Sequence, residues 1–510
     1  VVVTGATQLL RAEHSSLEQW LKESLTQAEL RHIGLISLNQ WPFMCAVVGE
    51  VALTAHAMGS QVSVGMWADK TPLPDPGWTT SRRAAHAFLS RSIDENLEQA
   101  LVQAGLPDSS IVRPPIRRWS PQDLATLPSS ITRADLRGLT YHGSPMGRSI
   151  LQVHPTLDTP IRDAHIWPGR YTRRAIESYA WVYDQVAELI RQRDITTLIV
   201  YNGRFTHDQA AAAAAVAAGI KVLYYDAGGL ETGFDLTFAT THDWDHLQRR
   251  MLRMWSEWPD EDREQIAETW FLNRQAHSEP GIEAFVEFQE IGNLKGVPQA
   301  DLLVAFFSSS PDEIAELDLD WSRFHGSQPQ ALTALADAVR ATSGAKLVVR
   351  THPHMRLKPP LDHVDWRAAV EAAAPAAHFD ADAPVDSYGL MRAADIVFTY
   401  GSTSGVEAAF LGKPAVVMGP SAYDLLGCVH YAPSQDAVME HLQQPTPLPA
   451  QNALPYGLLM QRRGFNFTHV LQDASGNFSI DGVPIKDANS SSRKLGDALK
   501  KRKIRWLTAA

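Results

Sequence analysis

The chain has 510 residues, 45% hydrophobic and 20% charged, with 57 acidic against 46 basic side chains and a net charge of −11. That length exceeds one core and predicts two domains, and the balance excludes a disordered or low-complexity chain. The acidic body argues against a general nucleic-acid binder. The two cysteines, Cys45 and Cys428, stand far apart in apolar contexts, which suits a reducing compartment and supports neither a disulfide framework nor a zinc site. Val1–Ala6 lacks a basic stretch leading into an apolar one, and no apolar run approaches a membrane span, so the expected location is cytoplasmic.

In chain order, Leu17, Trp20, Leu21 and Leu25 recur at helical spacing. A strand over Ile33–Leu38, a turn at Asn39–Pro42, a helix over Phe43–Met58 ended by Gly59 and a strand over Val62–Met66 make a first βαβ unit. Residues 70–165 are rich in Pro and Arg, with a helix expected near Ile93–Ala104. A long helix over Arg170–Arg193 precedes the strand Thr197–Tyr201, the loop Asn202–His207, a helix over Asp208–Ala218 and the strand Lys221–Tyr225, a second βαβ unit. Residues 243–290 read as acidic helix with Trp244, Met251, Trp255 and Trp258 as anchors. After Gly296-Val297-Pro298 the pattern restarts: strands over Leu302–Phe307, Lys346–Arg350, Ile396–Thr399 and Ala415–Met418, with helices near Gln328–Thr342 and Gly405–Leu411. The fold class is therefore α/β, with two doubly wound parallel sheets.

Two constellations follow strands of the second half. Leu347–Val349 runs into Arg350-Thr351-His352-Pro353-His354, which puts an imidazole and a guanidinium at the carboxyl edge of a sheet, where open α/β sheets bind ligands. Tyr400-Gly401-Ser402-Thr403-Ser404-Gly405-Val406-Glu407 follows Ile396–Phe398 and opens a helix; small residues there admit an anion close to the backbone. Ser404-x-x-Glu407 equally fits a capping box, which needs no ligand. His352-x-His354 has no Cys or carboxylate cluster beside it to complete a metal shell, so no metal is expected.

"VVRTHPH" followed by "FTYGSTSGVEAAFLGKPAVV" resembles the C-terminal half of the GT-B capsular polysaccharide biosynthesis transferases, and also bacterial sialyl- and Kdo-transferases and CDP-glycerol glycerophosphotransferases. The resemblance implies a GT-B fold, two Rossmann-like domains facing across a cleft. It implies acceptor binding in 1–294, nucleotide-sugar binding in 295–435, and a segment 436–510 that packs back on the first domain through Pro455–Phe467. It also implies a glycosyltransferase that needs no cofactor or metal. Its donor is a nucleotide-linked sugar, CMP favoured with UDP or CDP open, and its acceptor a glycan or glycolipid of the cell surface. The donor residues it implies are Arg350, His352, Pro353, Ser402, Thr403, Ser404 and Gly405, with Glu407 on the ribose. "FFSSSPDE" adds Ser308 and Ser309.

In the first half, "VYNGRF" and "YYDAGGLETGF" resemble further segments of the group. They imply that Asn202 and Arg204 serve the acceptor and that Asp226 is the base, with Glu231 as its rival. A carboxylate at a strand end can deprotonate an acceptor hydroxyl, while an Asp before Gly228-Gly229 can also simply cap a turn. The alternatives are a non-hydrolysing UDP-sugar 2-epimerase and a non-catalytic glycan-binding subunit. Finally, Arg493–Arg505 carries seven basic residues and one acid, with Trp506 and Leu507 beyond, a pattern for peripheral contact with an anionic membrane or for a solvated tail.

Overall fold

The computed structural model describes residues 16–38, 41–67, 95–115, 133–153, 169–230, 232–241, 243–259, 262–278, 286, 288–310, 324–357 and 364–485. Glu231, residues 68–94 and the basic tail lie outside these residues. The chain forms two compact units. One comprises 1–228, 232–241 and 464–510; the other comprises 229–231 and 242–463.

The sheet of the first unit is built from β1 (His32–Ser37), β2 (Gln61–Met66), β3 (Ile111–Val112), β4 (Thr197–Tyr201), β5 (Lys221–Ala227) and β6 (Phe234–Thr237). Its order is β3-β2-β1-β4-β5-β6, parallel except for the β5–β6 hairpin. Both faces are covered, as a parallel sheet requires. Ile33, Leu35, Ile199 and Leu223 face the helix Pro42–Ala57, while Leu198, Val200 and Val222 face the helices Gly169–Arg193 and Thr206–Ala217.

In the helix Pro42–Ala57 every residue from Met44 to Ala55 is buried, including Glu50. That charge has a definite partner. Glu50 Oε1 accepts from Thr468 N at 2.9 Å, and Oε2 accepts from His469 N at 2.8 Å and Val470 N at 3.0 Å. The carboxylate thereby ties residues 468–470 to the first unit. They lead into a small antiparallel sheet, β13 (Val470–Gln472), β14 (Phe478–Ile480) and β15 (Val483–Pro484), whose Ile480 packs where a Cβ on Gly49 would stand, 2.6 Å from its Cδ1.

The second unit is wholly parallel: β7 (Leu302–Phe307), β8 (Ala345–Arg350), β9 (Ala377–Phe379), β10 (Ile396–Thr399), β11 (Ala415–Val417) and β12 (His430–Tyr431), in the order β12-β11-β10-β7-β8-β9. Along β7, Val304 and Phe306 face the helices Gln328–Ala341, Val364–Ala373 and Gln435–Gln443, while Leu303, Ala305 and Phe307 face the other way. The expectation of an α/β chain with two doubly wound, Rossmann-like sheets holds.

The expected boundary at 295 does not match these units. The helices Trp244–Glu257 and Arg263–Gln275 belong with the second unit because they cover the Leu303 face of its sheet, together with Leu454–Arg462. Phe271 stacks on Phe410 at 4.2 Å, Trp270 meets Tyr456 at 5.2 Å, and a Cβ on Gly457 would lie 2.4 Å from Ala267 O. The C-terminal return differs too. Leu454–Arg462 stays with the second unit, and the chain joins the first unit from Gly464.

Glu50→Ala is expected to lower stability by roughly 3 kcal/mol, since three backbone amides, that of Val470 buried, lose their acceptor. Glu50→Gln, which keeps one acceptor oxygen, should lose less; denaturant midpoints of the two variants check the order.

Candidate functional site

In the second unit the strand order reverses between β7 and β10, the position at which open α/β sheets bind ligands beyond their carboxyl ends. Phe307 pairs with Arg350 on one side and Thr399 on the other, so the loops after β7, β8 and β10 leave the sheet side by side. The two sequence constellations are therefore brought to one edge.

Short hydrogen bonds fix those loops to one another. Ser308 Oγ accepts from His352 N at 2.8 Å, and Ser309 Oγ donates to Tyr400 O at 2.6 Å. Ser309 N donates to Gln328 Oε1 at 2.7 Å. Thr399 Oγ1 donates to Phe307 O at 2.9 Å and accepts from Ser402 N at 3.1 Å. Ser308 and Ser309, which the resemblance put among the donor residues, are buried, and their hydroxyls hold the loops together.

Arg350 also departs from expectation. It is 2% exposed, and its guanidinium donates to the carbonyls of Asp380 and Ala383, bracing the loop after β9. Burial lowers its pKa to about 10, with the charges of Asp380 and Asp382 working the other way, so it stays protonated at neutral pH but points into the fold.

His352 is half-buried, and its Nδ1 accepts from His354 N at 3.2 Å. An Nδ1 engaged as acceptor leaves Nε2 as the N–H of the neutral ring. Pro353 opens a single 3-10 turn, Pro353–Leu357, that sets this geometry.

In the facing turn, Gly401 has φ 86°, and a Cβ there would lie 2.1 Å from Pro420 O. Gly405 is equally constrained, with a Cβ falling 2.3 Å from the Tyr423 hydroxyl oxygen. That hydroxyl donates to Ser402 O. Ser402 Oγ donates to Ser404 Oγ at 3.1 Å and accepts from Ser404 N at 3.3 Å. The capping box read from Ser404 and Glu407 does not form. Thr403 stands at the N-cap without a side-chain cap bond, and the Glu407 carboxylate turns instead to Arg274 and Tyr388.

In the first unit, Asn202 and Arg204 follow β4. Asn202 Oδ1 accepts from Arg204 N at 2.9 Å, and Asn202 O accepts from Thr241 Oγ1 at 3.1 Å, so the buried Asn202 shapes its own loop. Asp226 lies within β5, directly opposite Asp235 on β6, not in the turn before Gly228. Its Oδ1 accepts from Ala227 N at 2.8 Å, and its charge acts on the Tyr201 phenol of the neighbouring strand. Burial first, then the charges of Asp226 and Asp208, push the Tyr201 phenol well up, so it remains a donor. Arg274 and Tyr388 escaped the sequence reading. No local motif marks them, and each reaches its carboxylate only through folding.

Among the described residues no group of three or more His, Cys, Asp or Glu could hold a metal ion, and no helix is long and apolar enough to cross a membrane. Residues 320–448, which contain both loops, match the family model described as "Capsule polysaccharide biosynthesis protein". Over that stretch the chain is similar to capsule-synthesis proteins. A search of curated proteins gives no match. Similar solved structures include the β-Kdo 2,4-transferase KpsC of Thermosulfurimonas dismutans, at 12% identity and TM-score 0.37 over 60% of this chain and 88% of that one. Its β-Kdo 2,7-transferase counterpart gives 15% and 0.33 over 62% and 89%. The UDP-GlcNAc 2-epimerase of Neisseria meningitidis gives 9% and 0.27 over 91% and 98%. The fold described above rests on strand order and register, not on these likenesses.

Gly401→Ala should destabilise the second unit by about 1–3 kcal/mol, because the substitution adds left-handed strain to a backbone collision. Gly412→Ala, also at positive φ (72°) but with open space around it, is the control and should cost less. Melting curves of the two variants give the comparison.

Proposed function

We propose that the protein is a GT-B-type glycosyltransferase of capsular polysaccharide synthesis. Its donor is a nucleotide-linked sugar, CMP-linked in preference to UDP or CDP, and its acceptor is a glycan or glycolipid. The observation that carries the reading is the convergence of the His352 and Ser402–Ser404 loops at the strand-order reversal of the second unit, inside the segment that matches the capsule-synthesis family.

In this reading His352 Nε2–H and the hydroxyls of Thr403 and Ser404 hold the donor phosphate. They carry the negative charge that develops as the bond from sugar to phosphate breaks. Glu407 accepts from the ribose. Ser308, Ser309 and Gly401 set the loops but do not touch the donor, and Arg350 braces from beneath. On the first unit Asp226 is the base. It takes the proton of the acceptor hydroxyl while that oxygen bonds to the anomeric carbon. No metal is assigned to the reaction.

Thermal shift with CMP, CDP, UDP and GDP tests the donor site. A nucleotide at about 100 times its Kd should add about 2.7 kcal/mol to stability. His352→Ala should weaken that binding about ten- to a hundred-fold, the loss of a charge-assisted hydrogen bond. Asp226→Asn should cut turnover by roughly 10²–10⁴-fold and leave nucleotide binding intact. Unchanged nucleotide affinity in His352→Ala would remove the donor assignment. NMR that shows a UDP-sugar isomerised without any acceptor would replace the transferase reading with an epimerase.

A further inference from the structure

Glu407 is buried, its side chain 5% exposed, and among the described residues the hydrogen bonds to it fall on one oxygen. Oε1 accepts from Arg274 Nε at 2.5 Å and from the Tyr388 hydroxyl at 2.9 Å. Among the described residues no donor reaches Oε2. The two donors arrive from separate elements, Arg274 from the helix Arg263–Gln275 and Tyr388 from the helix Ser387–Ala393, while Glu407 belongs to Ser404–Phe410. The Arg274 guanidinium also lies over the Trp270 ring at 5.0 Å.

Two donors on one oxygen fix the carboxylate in rotation and aim the other oxygen in a single direction. The guanidinium balances the buried charge, so the carboxylate can take hydrogen bonds from neutral hydroxyls without a second cation. Tyr388 is suited to its part, since burial first, then the Glu407 charge, hold its phenol well above the usual range and keep it a donor. Glu407 stands on the helix Ser404–Phe410 that the Ser402 turn opens, so the carboxylate and the turn belong to one stretch of chain.

We propose that Arg274 and Tyr388 are positioning residues that set recognition of the nucleotide's ribose. By fixing Oε1 they present Oε2 to the ribose hydroxyls, and so make the site discriminate ribonucleotides from their deoxy counterparts. The proposal rests on the reading of the second unit as a nucleotide site. Arg274 lies outside the family match, on a helix whose place was decided by the fold.

The test is calorimetric titration of the full chain with CMP and with 2′-deoxy-CMP, for wild type, Tyr388→Phe, Arg274→Lys and Glu407→Gln. If UDP proves the nucleotide that binds, UDP and its 2′-deoxy analogue take their place. Wild type should favour the ribonucleotide by about ten-fold, the worth of one hydrogen bond to a charged acceptor. Tyr388→Phe and Arg274→Lys should bring the two affinities together, chiefly by weakening the ribonucleotide, as should Glu407→Gln. Melting temperatures monitor folding, and Tyr388→Phe, which removes a single hydroxyl, keeps the test open if Arg274→Lys does not fold. A wild-type preference retained in the folded variants, with only a lower melting temperature, would reduce the pair to a structural brace and overturn the inference alone. A wild-type chain that binds none of CMP, CDP and UDP would instead bring down the nucleotide-site reading beneath it.

Discussion

The candidate site depends on how β7 ends. Two consecutive buried serines at its carboxyl terminus send their hydroxyls in opposite directions, Ser308 to the amide of His352 and Ser309 to the carbonyl of Tyr400. Thr399 closes the pattern by bonding back to Phe307 O. Loops at a sheet edge are otherwise the most mobile part of such a fold. Here three of them are locked into one arrangement by side chains that bond backbone groups of a neighbouring loop. That arrangement brings His352 and the Ser402–Ser404 turn to one edge, and it explains why small hydroxylated residues stand where larger ones would separate the loops.

A second constraint is electrostatic. The fold buries carboxylates at Glu50 and Glu407 and gives each a dedicated set of donors. Glu50 satisfies both oxygens with backbone amides and acts as a fastener for the C-terminal segment of the first unit. Glu407 satisfies one oxygen with side chains and leaves the other without a described partner. A fully bonded carboxylate is a structural device, whereas a half-bonded one has capacity left for a further donor. Arg350 is also turned inward, a buried guanidinium whose Nη groups bond loop carbonyls although it stands two residues before His352 in sequence.

Much of this was legible in the chain. The strands β1, β2, β4, β5, β7, β8, β10 and β11 are apolar runs bounded by Gly, Pro or polar turns, and their βαβ rhythm implies parallel, doubly wound sheets. The His352 and Ser402 segments could be picked out because each interrupts such a run with small or polar residues at a strand end. β3, β9 and β12 escaped because two or three residues carry no readable alternation. β6 escaped because Phe234–Thr237 pairs only as the return arm of a hairpin.

What the sequence by itself determined was therefore local: which segments are strands, which are helices, and which loops carry polar groups at strand ends, because these follow from periodicity and from the backbone preferences of Gly and Pro. What only the tertiary structure decided was partnership. The helices at 244–275 joined the second unit because its sheet needed a covering face. Arg274 and Tyr388 reached Glu407, and Ser308 and Ser309 were drawn inward as ties. Each of these contacts joins separate elements of the chain. Burial makes an unpaired charge or amide costly enough to select them, and no spacing along the chain encodes which group will be there to meet it.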